Sequence, residues 1–386
     1  MSLEAAVHNS EVMVGIAFEA PDPVRAALEA AGRTEDVRVS PDGRRLALAC
    51  YSENAIGLAE IEIERAAAAA RIAVTDFELL RGSGLHEPHG VDFVTDDVVV
   101  VANRGGTVAF FALPERGSCG ELVPWGDPAG APDERDGPGS VLVRAEEDGD
   151  SLLVCNNWVH TVTRHALAPD GVLSSGEIVA ERRLELPDGL ALSADGRWLA
   201  VSSHDSSVVL VYAYPSREDF EEPVCMLRGV RCPHGLRFAS DGRRLFVADA
   251  GAPYVHVFET VAGGWTGVAY PVRSIRVLDD DAFARGRHNR YEGGPKGIDV
   301  LDGDDVLVVT CDGTPVAFFD LLRANDPVTT DLRLQYELNV LDAHDETKET
   351  VADLRRELDA FRGTRAWKII EPARETYAKV RRLRSR

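Results

Sequence analysis

Two histidines sit in the same short context. His89 opens HGVDF and His234 opens HGLRF, each directly before glycine. Asp188 precedes glycine in DGLAL and Lys296 in KGIDV, and Glu35 stands before DVRV. Imidazole and carboxylate oxygen together suit either a divalent metal or acid–base chemistry. A second group ends short apolar runs: Asn103, Asn156 and Asp249, with Asn157 and His204 one step further along. Brought together, these side chains would form a polar site, with His89, His234 and Asp249 as catalytic candidates. Asn103, Asn157, His204, Arg287 and Lys296 are the substrate-binding candidates. The same positions also have a structural use, because a side chain recurring in a repeat can hydrogen-bond a neighbouring repeat's backbone, and Asn and Asp at strand ends make Asx turns.

The spacing of these residues comes from an internal repeat. Each copy is an apolar strand, a turn that often reads Asp-Gly-Arg, a second apolar strand, a polar break and a third strand. Six copies run over 36–61, 89–113, 139–167, 188–214, 234–259 and 296–321. Their anchors Val37, Val91, Val141, Leu190, Leu236 and Ile298 recur at intervals close to the roughly 40–50 residues of a four-stranded propeller blade. Asp-Gly suits hairpin turns because both residues tolerate positive φ. No helical pattern separates the strands, which argues against a parallel α/β fold.

The reading is all-β: a six-bladed β-propeller over 34–330. Residues 1–33 supply a closing strand (11–18) and a short helix (22–31), and 331–386 form a helical, basic C-terminal extension. The fourth strand of each blade is expected in the connectors, such as 71–80, 177–186 and 272–278. In a propeller, the start of the innermost strand and the end of the second lie on one face beside the central channel, so Glu35, His89, Asp188, His234 and Lys296 should converge there. The long connector 278–295 is expected over the channel mouth, with Arg287 facing an anionic or sugar-like ligand.

PDGLALSADGRWLAVSS and PHGLRFASDGRRLFVADA resemble the blade motif of bacterial propeller lactonases and of the wider gluconolactonase/SMP-30 and NHL-repeat propellers. The resemblance spans roughly 36–321. It implies one divalent ion (Ca, Mg or Zn) held by a carboxylate, an Asn and an Asp, here Glu35, Asn156 and Asp188. Asp188 fills a slot where that family carries Asn. The implied activity is metal- or His-assisted hydrolysis or isomerisation of a small lactone- or sugar-like molecule. The alternative is a non-catalytic binding or scaffold propeller beside polysaccharide- or secondary-metabolite-assembly enzymes.

The chain has 386 residues and a net charge of −22. That acidity argues against a nucleic-acid partner, since phosphate contacts need a basic face. Six cysteines without a CxxC pair indicate neither a disulfide framework nor a zinc ribbon, and no GxSxG nucleophile elbow is present. With neither a secretory signal nor a long apolar span, the expected location is cytoplasmic or peripheral to the inner face of the membrane. The charge is uneven: 354–386 carry eleven basic and four acidic residues, a local +7. Trp367, Lys368, Pro372 and Arg374 resemble the terminal segment of bacterial sugar-pathway transferases. Apolar spacing over 340–361 fits a helix for homodimer contact, and 363–386 fit an anionic membrane surface or a protein partner.

Overall fold

Short runs of Val, Leu, Ile and Ala with period-2 alternation have little choice but to pair as sheets when Asp-Gly turns separate them. The structure is a computed structural model, and it describes residues 15–322 except 67–68, 117–119, 128–129, 133–135, 146–148, 215–221, 261–263, 302 and 304. The expected C-terminal helix, homodimer contact and basic tail lie outside the described residues.

Six sheets form the blades of a β-propeller. Strand β1 (Gly15–Ile16) comes first and helix α1 (Asp22–Glu29) follows. Blade 1 is β2 (Thr34–Val39), β3 (Arg45–Cys50), β4 (Ala55–Ala66) and β5 (Ala69–Leu80). Blade 2 is β6 (Pro88–Thr95), β7 (Val98–Asn103), β8 (Val108–Ala112) and β9 (Val123–Pro124). Blade 3 is β10 (Pro138–Arg144), β11 (Ser151–Asn156), β12 (Thr161–Ala166) and β13 (Glu177–Ala180). Blade 4 is β14 (Pro187–Leu192), β15 (Trp198–Ser203), β16 (Val208–Ala213) and β17 (Cys225–Leu227). Blade 5 is β18 (Pro233–Phe238), β19 (Arg244–Asp249) and β20 (Tyr254–Glu259), closed by β22 (Arg273–Arg276). Between β20 and β22, strand β21 (Gly267–Ala269) leaves its own blade and adds a parallel fifth strand to blade 4, a strap the repeat does not show. Blade 6 is β23 (Ile298–Leu301), β24 (Val306–Cys311) and β25 (Thr314–Asp320), with β1 as its outer strand. The N-terminal segment therefore closes the ring as expected, and the outer strands of blades 1, 3 and 5 fall in the connectors where they were sought.

The second strand of each blade is almost wholly buried. Every residue of β3, β11 and β24 is buried, because neighbouring blades cover both faces. The Asp-Gly turns are built alike: Ser40 and Ser193 donate to Asp42 and Asp195 two residues on, and Gly43 and Gly196 take φ of +72 and +69. Among the described residues, no helix is long and apolar enough to cross a membrane.

The inner strands meet side by side around the axis, and this decides the glycines of the HG, DG and KG pairs. A Cβ at Gly90 would lie 2.6 Å from the Cα of Ser140, and one at Gly189 would lie 1.9 Å from the carbonyl oxygen of His234. At Gly235 it would lie 2.5 Å from the Lys296 carbonyl, and at Gly297 2.5 Å from the Cα of Asp36. These neighbours are backbone and cannot swing aside. The Gly189→Ala substitution is therefore expected to destabilise the protein by about 2–3 kcal/mol, the upper range for overpacking, read as a lowered urea midpoint. A midpoint unchanged from wild type would contradict this packing.

Candidate functional site

The glycine contacts set how closely the inner strands approach, and the residue just before each glycine, with Glu35 before Asp36 at the equivalent place in blade 1, then projects into the channel. Glu35, His89, Asp188, His234 and Lys296 come together there, all nearly or fully buried. Lys296 Nζ lies 2.8 Å from Glu35 Oε2. Nε2 of His234 is 3.3 Å from Glu35 Oε2 and 3.3 Å from Asp188 Oδ2. Nε2 of His89 is 3.6 Å from Glu35 Oε2 and 3.8 Å from Asp188 Oδ1. Ligand atoms of Glu35, His89 and His234 all lie within 4.8 Å of one another.

The hydrogen bonds fix what these atoms can be. His89 Nδ1 is 2.7 Å from the carbonyl of Gly139. A carbonyl only accepts, so Nδ1 carries the proton and Nε2 offers a lone pair. Burial and the Arg104 charge push His89 down to about 3, against the pull of Asp188 and Glu35, so the ring is neutral near pH 7. Asn157 donates through Nδ2 to Asp188 Oδ1 at 2.9 Å and to the Pro187 carbonyl at 3.0 Å. Both partners are acceptors, so the amide orientation is forced. Asn157 Oδ1 then fills the slot that a side chain at Gly139 would occupy. That oxygen and the Nε2 atoms of His89 and His234 are buried without a hydrogen-bond partner.

Cations hold the two carboxylates ionised. Burial alone would raise Glu35, but the charges of Lys296 and Arg33 and the polar contacts of the two histidines outweigh it and keep its pKa well below the usual carboxylate value. Asp188 is lowered likewise, with Arg104 and the histidines overcoming burial. The cluster encloses a void of roughly 10 Å³, bounded deeper in the channel by Asp36 and Arg38, enough for one water-sized particle. Ionised carboxylate oxygens and two imidazole nitrogens facing such a space fit a divalent cation of borderline type. The Gly139 carbonyl behind His89 is the outer-shell partner that a metal-binding imidazole normally has.

The connector 278–295 contributes a residue that the repeat does not predict. It carries helix α2 (Asp280–Arg285), capped by the Asp279 side chain, and Gly293 and Gly294 donate to the Ala250 carbonyl. Glu292 reaches into the funnel, 2.8 Å from Lys296 Nζ and 3.7 Å from Nε2 of His204. Burial opposes the charge on His204, but bonding to Asp205 and Cys232 and the Asp188 charge raise it to about 11. Arg287 is exposed and stacks on Phe283 at 5.0 Å.

Three expected site residues are placed elsewhere. Asn156 donates to the hydroxyls of Thr161 and Thr163 within blade 3, so the family-derived set of Glu35, Asn156 and Asp188 is not the set the structure gathers. Asn103 accepts from the His86 amide and donates to the Gly84 and Thr107 carbonyls. Asp249 accepts from the amides of Arg231, Cys232 and Gly251 and faces His256 at 3.2 Å. Both serve as turn caps, because side chains alternate along a strand and the last residue of strand two points away from the channel while its successor points in. Arg33, Arg104 and Glu292 were missed. Arg104 follows Asn103 as Asn157 follows Asn156, and that parallel was the available signal.

A larger cavity, about 1260 Å³, opens at the opposite mouth. Much of its charge is internally paired, as in Arg116 with Asp42 and Arg237 with Asp299, and no comparable ligand cluster lies in it among the described residues.

No protein-family model matches the chain, and no curated protein is similar to it. Among solved structures, a protein of unknown function from Desulfotomaculum acetoxidans is 14% identical over 75% of this chain and 83% of its own, with a TM-score of 0.50. The fold is that of known propellers. A provisionally named gluconolactonase is 16% identical over 75% and 89% of the two chains, TM-score 0.48. A provisionally named 6-phosphogluconolactonase from Bacteroides uniformis is 15% identical over 74% and 80%, TM-score 0.46. At these identities the likeness concerns fold alone.

Glu292 supplies a pH test. Lys296 and His204 overcome its burial and lower its pKa from 4.5 to about 2. A carboxylate lowered by folding stabilises the protein above its unfolded pKa, and that contribution is lost as pH falls through the folded value. Stability should therefore decline between about pH 4.5 and 2. Glu292→Gln should lower the urea midpoint at pH 7 and flatten that decline; an unaltered pH profile would show that Glu292 is not engaged.

Proposed function

We propose that the protein is a divalent-metal-dependent propeller enzyme that hydrolyses a small lactone- or sugar-like molecule in the funnel. The observation that carries this reading is the pair of imidazole Nε2 atoms, of His89 and His234, buried without a hydrogen-bond partner between two ionised carboxylates. Leaving a buried polar atom unpaired costs about 1–3 kcal/mol, and one cation between the imidazoles and Glu35 would satisfy both rings. Glu35, His89 and His234 would hold it, with the ionised Asp188 beside them. Such an ion supplies a Lewis acid that polarises a carbonyl. Asp188, ionised and fixed by Arg104 and Asn157, accepts a hydrogen bond that orients an incoming water; the water oxygen bonds the carbonyl carbon, the ring C–O bond breaks, and the departing oxygen takes up the water's proton. Lys296 and Arg104 stand by to balance negative charge developing on the substrate, and Glu292 limits water access from the connector.

The small size of the void favours a second reading, in which the ion is structural and the propeller binds without catalysing. Purified full-length protein should contain about one equivalent of a divalent metal, as a single-ion site requires, and lose it in the His89→Ala/His234→Ala double variant. It should also hydrolyse members of an aldonolactone panel in a chelator-sensitive manner. Metal without hydrolysis would select the structural reading. Hydrolysis that survives full metal removal would overturn the proposal.

A further inference from the structure

Above the carboxylate–imidazole layer, on the side of blades 1 to 3, two guanidiniums and two aromatic rings border the funnel, with the Glu87 carboxylate bonded to the Tyr51 hydroxyl beside them. Arg33 bonds Glu35 through Nε and lies over Tyr51, 4.6 Å from the ring centroid. Arg104 bonds Asp188 through Nη2 and lies 5.7 Å from the centroid of Trp158. Each arginine is seen to commit one nitrogen to a carboxylate of the layer below, and ring contact orients the rest of the planar group. Both charges act on the Tyr51 hydroxyl, so the two arginines border one sector. Arg104 Nε is buried and has no partner.

Trp158 is 49% exposed, in a turn where a large apolar side chain gains little from burial. It is nonetheless held in place. Its amide donates to the Asp136 carbonyl at 3.0 Å, and a Cβ at Gly137 would come within 2.2 Å of the indole. The glycine, at φ +65, lets the ring lie against the backbone. A fixed, exposed indole beside a buried, partnerless guanidinium nitrogen is a built surface for a flat ligand carrying an acceptor group.

We infer that the substrate is a ring bearing an oxyanion, a carboxylate or phosphate, held by Arg33 and Arg104 with its ring against Trp158. The inference rests on the proposed function only in placing the ligand in this funnel. A carboxylate or phosphate presents several oxygens to planar guanidinium forks, whereas a ligand without an acceptor leaves Arg104 Nε unpaired. On the opposite wall Lys296 and the cationic His204 add to the attraction, and Glu292 is already bonded to Lys296.

The test is calorimetric titration of the full-length protein with D-glucuronate, D-glucose 6-phosphate and D-glucose, in Mn²⁺ and again in EDTA. At least one charged sugar should bind about tenfold or more tightly than glucose, a difference of about 1.4 kcal/mol, with affinity falling as salt rises. The tighter of the two identifies carboxylate or phosphate. Arg104→Gln should abolish the preference for charge, and Trp158→Ala should weaken all three sugars while keeping it. Should Arg104→Gln fail to fold, Arg33→Gln serves in its place. Glucose binding as tightly as both charged sugars, or a preference that survives in folded arginine variants, would overturn the inference. Metal content measured on the same samples separates the two readings. An oxyanion preference without bound metal defeats only the metal-dependent function, and bound metal without a preference defeats only this inference.

Discussion

Six inner strands meet around one axis, and each presents an edge of backbone groups that no further strand can pair. The rest of the structure depends on how those groups are satisfied, since buried amides and carbonyls left alone are costly. Neighbouring blades supply the partners. Asp92 accepts from the Val143 amide at 2.7 Å, Asp299 from Val39 at 2.9 Å and Asp36 from Val91 at 3.2 Å. His89 donates to the Gly139 carbonyl, and the Gly235 amide donates to the Lys296 carbonyl. Such contacts require near-touching backbones, which is why glycine recurs behind the channel-lining residues.

The same constraint creates the site. Once the strands are that close, the preceding residues crowd into one narrow layer. The acidic and basic groups there must neutralise one another or take up an ion. Lys296 and Arg104 each settle one carboxylate, but the two imidazole Nε2 atoms and Asn157 Oδ1 remain unmatched. Below this layer Arg38, Asp36 and Asp92 fill the channel with their own ion pairs. The unmatched groups thus lie toward the face carrying Trp158 and the 278–295 connector, and the larger cavity lies opposite.

The fold was legible because every blade writes the same pattern. Periodicity, Asp-Gly turns and largely apolar second strands each point to the same architecture, and agreement across levels is what makes a sequence readable. The channel layer was legible as a column, and Glu35, His89, Asp188, His234 and Lys296 are its members. Less was visible where a one-residue shift reverses a side chain: Asn156 and Asn157 look interchangeable in sequence, yet one braces blade 3 and the other faces the channel. Glu292 was hidden for a different reason, since it lies in an irregular connector with no periodic register. The strap β21 escaped notice because three residues carry too little pattern to assign them to another blade.

The proposed chemistry depends on a cation at the centre of the ring. Crystals of the full-length protein soaked in Mn²⁺ and measured at the manganese absorption edge test this directly. A single anomalous peak bonded to Glu35 Oε2 and to the Nε2 atoms of His89 and His234 is the predicted result. No anomalous density there, with water or a protonated imidazole bridging the carboxylates instead, would contradict it.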